Sequence, residues 1–74
     1  MEETLLLRMG ERLRALRGEI SLSKAAKELD ISENALLKYE KGERMPRDEV
    51  KHRLSAYYNA PEESIFFGNK VHEM

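Results

Sequence analysis

Two short amphipathic segments follow each other near the middle of the chain, and a serine precedes each of them. Residues 22–29 follow Ser21, and residues 33–41 follow Ser32. A serine hydroxyl at such a position caps a helix, because it accepts a hydrogen bond from a free backbone N–H of the first turn. The pattern predicts two short helices joined by a turn of about four residues that starts at Asp30, since aspartate tolerates the left-handed conformation.

The apolar positions of these two segments predict that the helices pack at a fixed angle. Ala25, Ala26 and Leu29 share the inward face of the first segment, while Leu36 and Tyr39 share that of the second. Two adjacent alanines favour a neighbouring helix that approaches closely. A second helix locked across the first protrudes from its domain and fits the major groove of DNA, with its first residues at the base edges.

Further helices are predicted on both sides of this pair. Gly18 and Gly42 end the segments before them, because glycine readily adopts the left-handed conformation found after a helix. Pro61 starts a last helical turn. The predicted helices cover about Thr4–Arg17, Leu22–Leu29, Glu33–Lys41, Arg47–Tyr58 and Glu62–Phe67. The sequence therefore predicts an all-α fold, a compact domain of five helices.

The first predicted helix also bears on the bounds of the domain. Its apolar face consists of residues spaced four, three and four apart, namely Met9, Leu13, Leu16 and Ile20. Gly10 lies inside this helix and weakens the segment before it. We therefore expect a single domain over residues 1–74, with a core at about 9–68 and terminal extensions at 1–8 and 69–74.

The apolar residues of the last two helices are expected to complete the core. Val50, Leu54 and Tyr57 form the stripe of the fourth helix, and Tyr58 is a further candidate. The last turn carries Ile65, Phe66 and Phe67, which give it enough apolar surface to dock. Neither phenylalanine is expected to belong to a functional site.

The composition argues against several kinds of function. The 74 residues include no cysteine, so disulfides and thiolate metal sites are excluded. His52 and His72 have no acidic cluster beside them in metal-ligand spacing, so we expect no metal and no cofactor. The longest apolar run, Leu5–Leu7, is far too short for a membrane span, and no signal peptide is evident, so we expect a cytoplasmic protein. The sequence contains no nucleophile–base pair and no glycine-rich phosphate loop, so we expect no enzymatic activity.

The charge distribution gives weak support for a nucleic-acid partner. The formal net charge is −1, whereas DNA-binding domains are usually basic. Residues 21–47 carry six basic and five acidic side chains, and residues 48–74 carry three basic and five acidic ones. The positive charge is thus centred on the helix pair, and non-specific affinity for DNA should be low.

Two stretches of the chain resemble a known family. Residues 21–32, SLSKAAKELDIS, look like the first half of the phage-repressor-like (Xre/Cro) helix-turn-helix, and residues 36–46, LLKYEKGERMP, look like its second half. The Tyr-Glu-Lys-Gly…Pro string is the most specific part. Residues 48–51, 57–59 and 65–68 are similar to the C-terminal helices of the family. The resemblance spans about residues 9–69 and implies a lambda-repressor-like domain.

The resemblance also implies which residues meet DNA, with helix three in the major groove. Those that would face bases or adjacent phosphates are Ser32, Glu33, Asn34, Leu37 and Lys38. Ser21 and Leu22 would lie at the phosphate-facing start of helix two, and Lys41 and Arg44 in the phosphate-facing loop after helix three. The family further implies a buried ion pair between helices one and three, here Arg17 with Glu40.

Several of these residues have a second interpretation. Asn34 pairs with adenine or stays solvated, and Lys38 holds guanine or a phosphate or stays solvated. Leu37 contacts a thymine methyl or faces solvent or a second subunit. Glu33 repels phosphates unless it accepts from a cytosine amino group, and the helix dipole alone explains an acid there. Leu22 stands where the family often has glutamine, which removes one phosphate hydrogen bond.

The sequence favours one function and leaves one alternative open. The first is a sequence-specific transcriptional regulator, a repressor that binds duplex DNA at a near-palindromic operator as a homodimer. Candidate dimer surfaces are Leu5–Leu7 and the region Ile65–Val71. The alternative is a protein-interaction module, such as an antitoxin or antirepressor, in which the same fold covers a protein partner. The negative net charge, Glu33 and the acidic last third of the chain motivate this alternative.

Overall fold

A computed structural model describes residues 2–67, with side chains described from Leu5 onward. Within this range the chain forms five α-helices and no strand, so the predicted all-α, five-helix fold is confirmed. Each helix begins and ends within two residues of its predicted bounds. The helices are α1 (Glu2–Arg17), α2 (Leu22–Leu29), α3 (Glu33–Glu40), α4 (Asp48–Tyr58) and α5 (Glu62–Phe66).

The two predicted serine caps are present. The Ser21 hydroxyl accepts a hydrogen bond from the Lys24 backbone N–H at 3.1 Å, and the Ser32 hydroxyl accepts one from the Ala35 N–H at 3.0 Å. Between them Asp30 adopts the left-handed conformation, with φ 62° and ψ 44°. Each bond satisfies a donor that a helix start otherwise leaves without a partner, which fixes where α2 and α3 begin.

The core consists of side chains from all five helices. Ten hydrophobic residues are buried, namely Met9, Leu13, Ala25, Ala26, Leu29, Leu36, Tyr39, Leu54, Ile65 and Phe66. Val50, Tyr57, Tyr58 and Ile31 are partly buried and pack against this cluster. Because α2 and α3 each bury one face here, their opposite faces remain on the surface.

Two residues predicted in the core lie at the surface instead. Leu16 shares a helical period with Met9 and Leu13, yet its side chain is 37% exposed, because it lies at the edge of the face that α1 buries. Phe67 is 42% exposed, because α5 ends at Phe66 and the chain turns out of the helix there. At each of these two places the predicted apolar face is one residue wider than the face that the structure buries.

The helix α1 is continuous from Glu2 to Arg17, and Gly10 lies within it. Gly10 is buried, at the point where α1 packs against the C-terminal end of α3. The assignment of residues 1–8 as an extension stays a prediction, and residues 69–74 lie outside the described part of the chain. None of the helices within residues 2–67 is both long and apolar enough to cross a membrane.

An ion pair joins α1 to α3, as the family resemblance implied. The Arg17 guanidinium donates to both carboxylate oxygens of Glu40, at 2.7 and 3.0 Å, and the two side chains are 12% and 4% exposed. Arg17 also donates to the Ile20 carbonyl at 2.8 Å. One guanidinium therefore ties together the end of α1, the loop before α2 and the end of α3.

Candidate nucleic-acid interface

One face of α3 presents polar side chains to solvent. Glu33, Asn34 and Lys38 are exposed, and Leu37 is partly buried beside them. At 100° per residue, these four positions fall within a 140° arc of the helix. Leu36 and Tyr39 lie on the opposite side and are buried. We call the four residues the reading face, and their placement matches the side of α3 that the sequence predicted to be outward.

The start of α2 combines exposed side chains with free backbone donors. Ser21 is exposed, but Leu22 is only partly exposed, because its side chain packs against the core. Any contact between Leu22 and a phosphate would therefore use the backbone N–H. The first N–H groups of a helix lack intrahelical partners and point away from its end, which suits them to bind an anion.

The segment between α3 and α4, residues 41–47, carries further basic side chains. Lys41 and Arg44 are exposed, as is Arg47, which caps α4 in an extended conformation. Gly42 turns the chain here with a φ of 74°. We call this segment the α3–α4 loop. It begins at the C-terminal end of α3, three residues after Lys38.

Some basic side chains of the surface are paired with an acid and others are not. Lys24, Lys51 and Arg53 each form an ion pair with an acid on their own helix. Among the described residues, no ion pair involves Lys38, or the basic side chains of the α3–α4 loop, Lys41, Arg44 and Arg47. Unpaired cations retain their full attraction for phosphates, so Lys38 and the basic residues of the loop are available to DNA, as are Arg14 and Lys27 elsewhere on the surface.

A hydrogen-bonded network holds α2 against α4. The Tyr57 hydroxyl donates to the Glu28 carboxylate at 2.5 Å, and Lys24 approaches the same carboxylate at 3.0 Å. The bond from Tyr57, followed by that from Lys24, lowers the pKa of Glu28, and the same bond to Glu28 raises the pKa of Tyr57. Arg53 of α4 donates to the Leu29 carbonyl at the end of α2, at 3.3 Å. These bonds from α4 therefore fix the position of α2, the helix that precedes α3.

A buried hydroxyl lies behind the other end of α3. The Tyr58 hydroxyl is buried and has no hydrogen-bond partner among the described residues. Its burial, followed by the nearby negative charge of Glu40, raises the pKa of Tyr58 to about 12. The bond to Glu40 likewise raises the pKa of Arg17, so the guanidinium stays charged beside this carboxylate.

The structure places every predicted interface residue at the surface except for the apolar bodies of Leu22 and Leu37, which are partly buried. Their contacts with DNA remain predictions. Sequence reasoning assigned Arg47 only to the start of α4, whereas the structure exposes its side chain in the same loop as Lys41 and Arg44. The spacing of Lys41, Arg44 and Arg47, one basic residue every three positions, was the available signal.

The arrangement is that of a two-helix DNA-binding device. One helix begins at a serine cap, a second helix presents polar side chains, and basic residues follow it. A family model described as a helix-turn-helix domain matches residues 8–65. The chain therefore belongs to the helix-turn-helix domain family, a family of DNA-binding domains. Neither a curated protein nor a solved structure gave a match.

Proposed function

We propose that this protein is a sequence-specific transcriptional regulator, a repressor of the phage-repressor-like (Xre/Cro) type. It binds a near-palindromic operator as a homodimer, with α3 in the major groove. One observation carries the proposal. Three residues of the reading face are exposed and polar, its lysine has no ion-pair partner among the described residues, and the opposite face of the same helix is buried in the core.

The phosphate contacts come from both sides of α3 in this proposal. At the start of α2, the Ser21 hydroxyl and the backbone N–H of Leu22 approach one phosphate. The hydroxyl oxygen already accepts from Lys24, so it has its own hydrogen left to donate. At the far side, Lys41 and Arg44 hold the backbone of the DNA. Such contacts set the position of the protein on the duplex and carry no sequence information by themselves.

The base contacts come from the reading face. Asn34 pairs with an adenine through two hydrogen bonds, and Lys38 donates to the acceptors of a guanine. Glu33 accepts from a cytosine amino group, which turns its unfavourable charge into a source of specificity. Leu37 contacts a thymine methyl. Ser32 contacts an adjacent phosphate with the hydrogen that its cap bond leaves available.

The homodimer supplies the second half of the operator. Two regions are candidates for its interface. The first is Leu5–Leu7, in which Leu5 and Leu7 are 51% and 52% exposed. The second is Ile65–Val71, of which Phe67 is exposed and residues 68–71 lie outside the described part. A twofold axis gives half-sites about 10 base pairs apart, or a multiple of one turn.

Selection from a pool of random duplexes at moderate salt tests the proposal. We expect the enriched sequences to share an inverted repeat with half-sites about 10 base pairs apart. A single enriched half-site would retain DNA binding but contradict the homodimer. A folded helical protein that enriches no sequence would contradict sequence-specific binding altogether.

Variants of the reading face then test the assignment of residues on the selected duplex. Asn34→Ala and Lys38→Ala should each weaken binding by about 1–3 kcal/mol and relax the preference at one base position. Lys27→Ala is the matched control, since Lys27 is exposed on α2 and lies outside the proposed interface. Binding by both reading-face variants at the wild-type level would show that the reading face is assigned wrongly.

A protein-interaction module, such as an antitoxin or antirepressor, is the second candidate function. The observation in its favour is an apolar depression of about 260 Å³ between α1 and α5, lined by Ala15, Leu16, Ala60 and Ile65 with Arg12 and Ser64 at its edge. Size-exclusion chromatography and mass spectrometry after mild purification test this candidate. A stoichiometric protein partner, together with no enrichment from the duplex pool, would favour it over the repressor.

A further inference from the structure

The helix α1 meets the end of α3 with backbone against backbone. A Cβ atom added to Gly10 would lie 2.8 Å from the Glu40 carbonyl carbon and 2.9 Å from the Gly42 nitrogen. A Cβ atom added to Gly42 would lie 2.9 Å from the Leu6 carbonyl oxygen and 2.9 Å from the Leu7 Cα. Carbon atoms do not approach so closely without displacement. Each glycine therefore leaves the space that the other segment occupies.

The same junction is fixed by charge. Arg17 holds the Glu40 carboxylate through two hydrogen bonds, and Gly10 admits the Glu40 backbone. Both the side chain and the backbone of Glu40 therefore contact α1. The Gly42 backbone also packs against Gly10, Leu6 and Leu7, so α1 holds the chain on both sides of Lys41. Lys41, directly after Glu40, is the first residue of the α3–α4 loop.

From this geometry we infer that Gly10 and Gly42 are positioning residues for DNA binding, which act by holding the α3–α4 loop where Lys41 and Arg44 reach the phosphates. The inference rests on the proposed function. The two glycines touch no DNA themselves. They set the distance between α1 and the loop, and the loop sets the distance between its two basic side chains and the DNA backbone.

Gly18 offers a matched comparison within the same chain. Both Gly18 and Gly42 have a positive φ, 55° and 74°, which asparagine accepts better than most other residues. A Cβ atom on Gly18 would meet only ordinary contacts, at 3.9 and 4.0 Å. Gly18→Asn and Gly42→Asn therefore share the backbone change and differ in the collision with α1.

The experiment measures the affinity of wild type, Gly42→Asn and Gly18→Asn for the selected duplex over a range of salt concentrations. We expect Gly42→Asn to bind about tenfold more weakly, with a salt slope smaller by about one to two, as for the loss of phosphate contacts. Gly18→Asn should stay within about twofold of wild type. Circular dichroism and urea denaturation establish that each variant is folded at the temperature of the assay.

A double-mutant cycle separates a positioning role from general destabilisation. Adding Arg44→Ala to Gly42→Asn should cause less further loss than Arg44→Ala causes in wild type, because the contact is already weakened. Adding Asn34→Ala should cause its full loss. If Gly42→Asn is not folded, Gly10→Ala takes its place, since alanine raises helix propensity while its Cβ meets the Glu40 backbone.

The possible outcomes distinguish this inference from the proposed function. If wild type binds a selected duplex and the glycine variants bind with the same affinity and salt slope, the positioning role is wrong while the repressor stands. Full additivity of Gly42→Asn with Arg44→Ala would overturn the positioning role in the same way. If wild type binds no duplex at all, the proposed function fails and this inference fails with it.

Discussion

At its N-terminal end α3 presents Glu33 and Asn34 to solvent, whereas at its C-terminal end Glu40 is almost fully buried against α1. The eight residues of α3 thus include an exposed end that is available for binding and a buried end that holds the helix against α1. We call the buried end, with its ion pair to Arg17, the anchor. The first end is fixed by one serine cap, and the second by an ion pair and a direct backbone contact. Substitutions at the first end should change binding with little loss of stability, and those at the second should lower stability first.

Breaking the anchor should have the largest effect. Arg17→Ala leaves the Glu40 carboxylate buried without its partner, so we expect the free energy of unfolding to fall by about 3–5 kcal/mol in urea denaturation. Lys24→Ala breaks an exposed pair and should cost only about 0.3–0.5 kcal/mol. Because replacing both charges avoids the unpaired acid, Arg17→Met combined with Glu40→Leu should recover much of the loss. Equal small losses in Arg17→Ala and Lys24→Ala would contradict the anchor.

Two adjacent leucines of α3 allow the buried and the exposed face of this helix to be compared, in addition to its two ends. Leu36 is fully buried, so Leu36→Ala should lower the free energy of unfolding by about 2–5 kcal/mol. Leu37 is only partly buried, so Leu37→Ala should cost about 1 kcal/mol or less while weakening the binding of the selected duplex. Urea denaturation and duplex titration of both variants check this. Similar losses of stability in the two would show that the reading face is part of the core.

The buried hydroxyl behind the anchored end predicts a dependence on pH. The pKa of Tyr58 is raised from 10.0 to about 12 in the folded protein, so between these values the unfolded chain loses this proton and the folded chain keeps it. The free energy of unfolding should therefore fall as the pH rises from about 10 to about 12, by about 1–2 kcal/mol from this group. Tyr58→Phe should lack this decrease.

The matched control for that prediction is wild type itself, compared with Tyr58→Phe at pH 8 and again at the alkaline values. At pH 8 the variant should be as stable as wild type or slightly more stable, because it removes a buried hydroxyl without a partner among the described residues. Contributions from lysines and from Tyr57 are common to both proteins and cancel. Parallel pH profiles of the two proteins would show that the Tyr58 hydroxyl is solvated.

The smallest effect is expected at the free end of α3. Ser32→Ala removes the cap bond to the Ala35 N–H, and we expect a loss of about 1 kcal/mol in the free energy of unfolding. Ser23→Ala is the control, since Ser23 is exposed inside α2 and is not a capping residue. If the two substitutions cost the same, the cap does not hold the start of the reading helix.

Local signals predicted most of this architecture. Ser21, Ser32 and Asp30 gave the ends of α2 and α3, because capping depends on a residue and its nearest neighbours. The family resemblance implied the pair between Arg17 and Glu40, which no local rule predicts. Leu16 and Phe67 were misplaced, since periodicity states which residues share a face and not how wide a strip the neighbouring helices cover.

The sequence by itself determined that this chain is a bundle of short capped helices with a polar outer face on α3, because helix ends and helix faces are encoded within a few residues. Only the tertiary structure decided what Gly10 is for. From helix propensity alone, a glycine in the middle of a helix lowers the stability of that helix. Here Gly10 instead leaves room for the backbone at the end of α3 to pack directly against α1. That role depends on a segment some thirty positions away in the chain, and no local pattern contains it.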